Sequence, residues 1–393
     1  MKMKKITAVI LSLVMLLTGI SAVSAAVSPT PAEALHLHFN DEGTFRVLNL
    51  SDIQDDANLS NLTVQFIKKS VEKYNPDLIV MTGDNIAGYR CLTKSASEKA
   101  IRKFMEVFEE LGVPVAVVFG NHDDEGQALS KQEQMKIYNE YSVSISIDEA
   151  DYYDSDLSGV GTYYIPVYES AASDTVKFVL WMFDSGSDDE VEDISNYDHV
   201  HADQINWYKS ESSRINAENG GMVYGIAFQH VIIKEIYDAF EETTRNAPGA
   251  YPYLGKWYKL PDTAAPGSIL GEAPCPSYTS EGLFEAFRET GNVLATVAGH
   301  DHANSYLIPY QGIDIICTPT CGFCSYGKQE SRGARIFDID MNNPTDYTTY
   351  TYLFTDLDYN NTLFMFEYYF INFWKEIYLL FNNLWVLLRE SFS

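Results

Sequence analysis

The sequence predicts an α/β fold on three observations. Short apolar runs rich in Val, Ile and Leu alternate with helix-periodic segments. A single residue type of chemistry, oxygen or imidazole donors, follows those runs. Apolar residues make up 46% of the 393 positions, enough to bury a large core.

The elements follow in order. Residues 45–50 read as a strand ending at Ser51-Asp52, and residues 62–74 have helical spacing. Residues 77–81 form a second strand ending at Gly83-Asp84, followed by a helix over 96–111. A third strand over 114–119 runs into Gly120-Asn121-His122-Asp123, with a helix over 130–141 after it. Further strands are expected at 175–183, 222–229 and 293–298, with helices at 202–216 and 281–290 among them. Residues 313–318, 334–339 and 347–354 read as strands without intervening helices. The Gly-, Pro- and Ala-rich stretch 245–276 interrupts the alternation and reads as a lid or substrate-facing insertion.

The ends of the chain read differently. Lys2, Lys4 and Lys5 precede an apolar run over 6–17, and Val23-Ser24-Ala25 supplies small residues for cleavage. Residues 1–26 are therefore expected to be a signal peptide and 27–43 a lead-in, with an exported, extracellular or cell-surface product. The catalytic domain is expected over 44–358. Over 359–393, Leu363, Phe366, Phe370, Phe373, Ile377, Leu380, Leu384 and Leu387 recur at spacings of three and four, the stripe of an amphipathic helix. Membrane-interface contact through 363–388, packing on protein and spanning all remain open, although charges in the middle of the segment disfavour spanning.

A formal charge of −28 disfavours stable nucleic acid binding, since an acidic surface repels phosphates. It also means that a phosphate site needs local positive charge, which bound metal ions supply. Five cysteines leave at least one thiol unpaired, and Cys317, Cys321 and Cys324 are expected to be small buried residues or to include one disulfide, since their spacing does not suit structural zinc.

Asp52, Asp84, Asn121, His230 and His300 each stand just after a strand-like run, and sites in open sheets form outside the carboxyl ends of strands. Carboxylate, amide oxygen and imidazole suit Mn, Fe, Zn or Co, and two such ions can share one carboxylate. The blocks Ser51-Asp52-Ile53-Gln54, Gly83-Asp84-Asn85, Gly120-Asn121-His122-Asp123, Gln229-His230 and Gly299-His300-Asp301-His302 resemble the calcineurin-like metallophosphoesterase superfamily. Phe183-Asp184-Ser185-Gly186 and Arg332-Gly333-Ala334-Arg335 resemble its purple-acid-phosphatase-like branch.

That resemblance implies a four-layer αββα sandwich, two mixed sheets flanked by helices. It implies a dinuclear-metal phosphoesterase that cleaves phosphomonoesters or phosphodiesters, of small-molecule or nucleotide substrates, through a metal-bridged hydroxide. Asp84 would bridge two divalent ions, Asp52 and His302 would bind the first, and Asn121, His230 and His300 the second. His122 would assist the leaving group, with Asp123 holding it in position. Gln54 stands where the family usually has His, so the first metal is expected to use a neutral amide there, or water, Asp55 or Asp56 instead. The alternative is a weakly active or inactive surface binding protein on the same fold. Ala87 occupies the position of the ferric-binding tyrosine, with Tyr89 two residues on, so no ferric-tyrosinate site is expected.

Overall fold

The computed structural model describes residues 35–126, 128–147, 157–191, 194–328 and 331–357, together with Phe366, Phe370, Phe373 and Ile377. The signal peptide, residues 27–34 of the lead-in and most of the C-terminal segment lie outside the described residues. The four described residues of that segment are helical, and the three phenylalanines among them are exposed. Among the described residues, no helix is long and apolar enough to cross a membrane.

Two sheets carry the architecture. The first contains β1 (Thr44–Leu50), β2 (Leu78–Thr82), β3 (Val115–Val118), β15 (Gly333–Asp340) and β16 (Thr348–Leu353), in the order β16-β15-β1-β2-β3. Its first three strands in sequence are parallel, and β15 and β16 add antiparallel. The second contains β4 (Tyr163–Tyr168), β5 (Val176–Met182), β8 (Tyr224–Phe228), β12 (Val293–Ala298), β13 (Tyr306–Tyr310) and β14 (Ile313–Cys317), ordered β13-β14-β12-β8-β5-β4. Its four central strands are parallel, and its two edges, β4 and β13, are antiparallel.

Side-chain alternation shows how the layers stack, because successive residues of a strand face opposite ways. Val80, Val118 and Phe337 of the first sheet share a core with Leu180, Phe228 and Val297 of the second. The opposite face of the first sheet, including Leu48, Met81 and Val117, packs on α1 (Asn61–Tyr74), α2 (Lys94–Leu111) and α3 (Lys131–Tyr138). The outer face of the second, including Val179 and Trp181, packs on α4 (Ala202–Glu218) and α6 (Leu283–Thr290). The result is the four-layer αββα sandwich with two mixed sheets.

Local sequence sets the helix ends. Ser130 caps α3 in a capping box with Glu133, and Gly112 ends α2 in the left-handed conformation that closes it onto Phe108. Two segments differ from the sequence reading. Residues 37–39 of the lead-in are tied to β4, with Phe39 N–H donating to Tyr168 O and Tyr168 N–H to Leu37 O. The 245–276 stretch is partly regular, since β10 (Tyr251–Tyr253) and β11 (Lys256–Lys259) form a hairpin with β9 (Glu241–Thr243), which follows α5 (Ile236–Ala239). Leu254 and Gly255 at the turn both adopt the positive φ that a two-residue hairpin loop requires. The short pair β6 (Asp188–Val191) and β7 (Ile194–Tyr197) completes the set.

Candidate metal centre and active site

Five strand ends converge. Asp52 and Gln54 follow β1, Asp84 follows β2, Asn121 and His122 follow β3, His230 follows β8, and His300 and His302 follow β12. All five strands run parallel to a neighbour and end at the same edge of the sandwich, so their carboxyl ends open on one site.

The donors fall into two overlapping groups. Asp84, His230 and His300 have ligand atoms within 4.8 Å of one another, as do Asp52, Asp84 and His302. Asp84 belongs to both. His230 Nε2 lies 3.3 Å from Asp84 Oδ2 and 3.2 Å from Asn121 Oδ1. His302 Nε2 lies 3.2 Å from Asp52 Oδ1. Backbone partners fix the imidazoles, with His230 Nδ1 2.9 Å from Thr82 O and His302 Nδ1 3.0 Å from Tyr326 O. A donor Nδ1–H in those contacts leaves the Nε2 lone pair facing the carboxylates, the arrangement of a metal-ligating histidine.

Unmet acceptors test the fit to cations. Asp52 Oδ1 and Gln54 Oε1 are both buried and receive no hydrogen bond. Buried acceptors facing lone pairs are costly unless a cation lies among them. The donor set therefore suits divalent ions. Gln54 stands within it, its Nε2 donating to Asp84 Oδ2 at 3.2 Å. Asp55 and Asp56 are committed elsewhere: Asp55 accepts from Ser60 N and Thr63 Oγ1 at the start of α1, and Asp56 pairs with Arg90 at 3.2 Å.

The loops are held in demanding conformations. Asp52, Gln54, Asp84 and His300 all have positive φ, between 43° and 70°, which non-glycine residues seldom adopt. Four such residues in one site are backbone strain concentrated where function needs it. Close approach demands glycine as well. A Cβ on Gly120 would meet the Asp84 carboxylate, and one on Gly299 would meet Ser51 Oγ and Asp52.

Charge follows the same geometry. Burial opposes ionisation of Asp84 and Asp52, but the facing His230 and His302 outweigh it and hold both carboxyls below their ordinary range. Burial likewise opposes a charged His230, yet Asp84 and Asp52 raise it to about 9. Burial and the nearby His230 push His300 down to about 3. His230 rather than His300 thus carries the positive charge that the carboxylates favour.

His122 stands apart at the mouth, its side chain 33% exposed. Its backbone N–H donates to Asp84 Oδ1 at 2.8 Å, and the Tyr89 ring meets it edge-on at 5.2 Å. The expectation that Asp123 orients His122 is corrected. Asp123 is fully buried and accepts from the amides of Gly120 (2.7 Å), Asn85 (2.8 Å) and Ile86 (3.0 Å), tying the β2 and β3 loops together. The His122 Nδ1 partner is Glu125, three residues on. The sequence reading missed Glu125, whose only signal was that spacing in a turn.

Neighbouring blocks support the site. Asp184 pairs with buried Lys131 at 3.0 Å and accepts from Val160 N and Gly186 N, while Ser185 Oγ accepts from Val231 N next to His230. Arg332 donates to Gly322 O, Ser325 O and Tyr326 O and so shapes the loop whose Tyr326 stacks on His302 at 4.0 Å. At the end of the 245–276 stretch, Cys275 N–H donates to Asp301 Oδ1 and Gly271 N–H to Asn304 Oδ1. All five cysteines are free thiols.

Comparison with known proteins gives the family. The chain is 26% identical over 340 residues to a probable inactive purple acid phosphatase, number 28, of Arabidopsis thaliana, covering 79% of each chain. It is 27% identical over 350 residues to the phosphatase DCR2 of Saccharomyces cerevisiae, covering 81% of this chain and 56% of that one. A dimetal phosphatase from Danio rerio aligns with 78% of this chain and 99% of its own at 14% identity and a TM-score of 0.46. The family model described as calcineurin-like phosphoesterase matches residues 45–304, two thirds of the sequence and every strand end of the site, and the chain belongs to that family.

Proposed function

We propose that this chain is a dinuclear-metal phosphoesterase that hydrolyses phosphomonoesters or phosphodiesters of small molecules or nucleotides. The observation that carries the reading is the position of Asp84 in both ligand groups. Asp52, Gln54, His302 and Asp84 would hold one divalent ion, and Asp84, Asn121, His230 and His300 the other. Bound there, the pair supplies a water of lowered pKa and positive charge against the phosphoryl oxygens. The chain's own residues do the rest. His122, partly exposed, presents Nε2 to the leaving oxygen and can deliver a proton to it. Glu125 holds Nδ1 and so keeps the ring oriented. Tyr89 limits rotation of that ring.

A catalytically weak binding protein is the second reading. Gln54 favours it, as do relatives named probable inactive purple acid phosphatases. One experiment separates the two. Chelator-stripped protein is reloaded with Mn, Zn or Co and assayed on an aryl phosphate and a bis-aryl phosphodiester. Metal-dependent turnover that Asp84→Asn abolishes supports the hydrolase. Metal binding without turnover supports the binding protein.

The basic, apolar and small-residue succession over 1–26 supports export, and the apolar stripe over 363–388 supports contact with a membrane interface. Mature-chain mass from the expressing cell tests the first. Vesicle co-sedimentation of the full chain against a chain ending near residue 360 tests the second.

A further inference from the structure

Between β7 and α4, Asp198, His199 and His201 gather one carboxylate and two imidazoles with ligand atoms within 4.8 Å of one another. None of them belongs to the groups around Asp84. Asp198 Oδ1 lies 3.4 Å from His199 Nδ1 and 3.1 Å from His201 Nε2. The His199 side chain is 11% exposed, and both of its ring nitrogens are buried without a hydrogen-bond partner. On the other side of the ring, Glu281 Oε1 stands 3.6 Å from His199 Nε2. The cluster borders a cleft also lined by Gln229, Lys234 and Glu235.

An ion pair alone accounts poorly for this geometry. His199 would then aim an Nδ1–H at Asp198 and an Nε2–H at Glu281, but at 3.4 and 3.6 Å neither contact has hydrogen-bond geometry. A tetrahedral ion with bonds of about 2.0–2.2 Å sets its ligands roughly 3.3–3.6 Å apart, close to the separations found. Bonding through His199 Nδ1 would leave Nε2–H facing Glu281, the carboxylate–histidine–metal relation that fixes tautomer and ring orientation.

We propose that Asp198, His199 and His201 form a separate, mononuclear site for a zinc-class divalent cation, with Glu281 as the partner of His199 Nε2. Two imidazoles and a carboxylate, with no thiol, match three-ligand zinc with one position left open to water. The ion would join the β7–α4 segment to residue 281, where Glu281 already accepts from Ala202 N at 2.5 Å. That segment matters to the larger centre, because Tyr197 meets the His300 ring edge-on at 4.3 Å. The site therefore positions Tyr197 and takes no part in bond breaking.

The test is zinc content of the full chain after chelator stripping, reloading and removal of free ion. His199→Ala and His201→Ala should each lower the stoichiometry by one zinc per chain. The same drop should occur in an Asp84→Asn background, which makes the result independent of the dinuclear reading. Equal zinc content in parent and variant chains overturns the proposal. A zinc-edge anomalous map of the unaltered chain needs no variant. A peak bonded to Asp198, His199 and His201 supports the site, and an empty cluster in zinc-saturated crystals overturns it.

Discussion

The Nδ1 edge of His122 rests on the Glu125 carboxylate, while Asp123, its immediate neighbour, turns inward onto three backbone amides. Two acids two positions apart thus have different consequences. Glu125→Gln should lower turnover by about 10-fold or more, with metal content unchanged, because it loosens the ring that serves the leaving group. His122→Ala should cost about 100-fold or more, again without loss of metal. Asp123→Leu should instead lower the melting temperature, since it strips the acceptor from three buried N–H groups at about 1–3 kcal/mol each. Equal kinetic defects at 123 and 125, with equal stability, would contradict this division.

Gln54 offers a second experiment. It already occupies the left-handed region at φ 43°, where His is better tolerated than most residues. Gln54→His exchanges a neutral amide oxygen for a more basic imidazole facing Asp84. The variant should bind the weaker of its two ions more tightly, read by calorimetric titration of stripped protein with Mn or Zn. An unchanged isotherm and rate would mean that position 54 does not govern loading.

Much of this was legible because ligands at strand ends follow apolar runs that are unmistakable in sequence. The residues that were not legible have physical reasons. β4 and β13 carry Pro166 and Pro309, which read as breakers, yet both strands lie at sheet edges, where a missing N–H is harmless. β9, β10 and β11 are only three or four residues long, too short for period-two alternation to show. Adjacency misassigned Asp123, because successive side chains in a turn point in different directions and sequence records order, not direction. Nothing in the 198–201 run singled out a metal site, because its second carboxylate, Glu281, comes from a distant segment.

The glycines at the strand ends should be intolerant for steric reasons that act on the site itself. A methyl group at 120 meets the Asp84 carboxylate, and one at 299 meets Ser51 and Asp52. Gly120→Ala and Gly299→Ala should each cost about 1–3 kcal/mol and should displace ligands as well. The diagnostic result is metal loss in protein that still melts cooperatively. Full metal content in either variant would show that the loops can yield.

The metal-free protein should show the charge of its empty ligands directly. His230 is raised to about 9 by Asp84 and Asp52 against the cost of its burial. A folded value above the unfolded one, about 6.5, means that protonated His230 stabilises the metal-free fold fully below that pH. The contribution fades as pH rises through about 9. Asp84 acts in the other direction: its depressed value contributes stability above the unfolded carboxyl range, which is lost in acid. Chelated protein should therefore melt at a lower temperature at pH 9.5 than at pH 6.5. Metal loading must expel the His230 proton, so apparent affinity should rise by up to tenfold per pH unit towards pH 9 and then level. Proton release measured by titration in buffers of different ionisation enthalpy checks this. His230→Gln should abolish both the alkaline loss of stability and its share of the released proton, and persistence of both would assign them to another group.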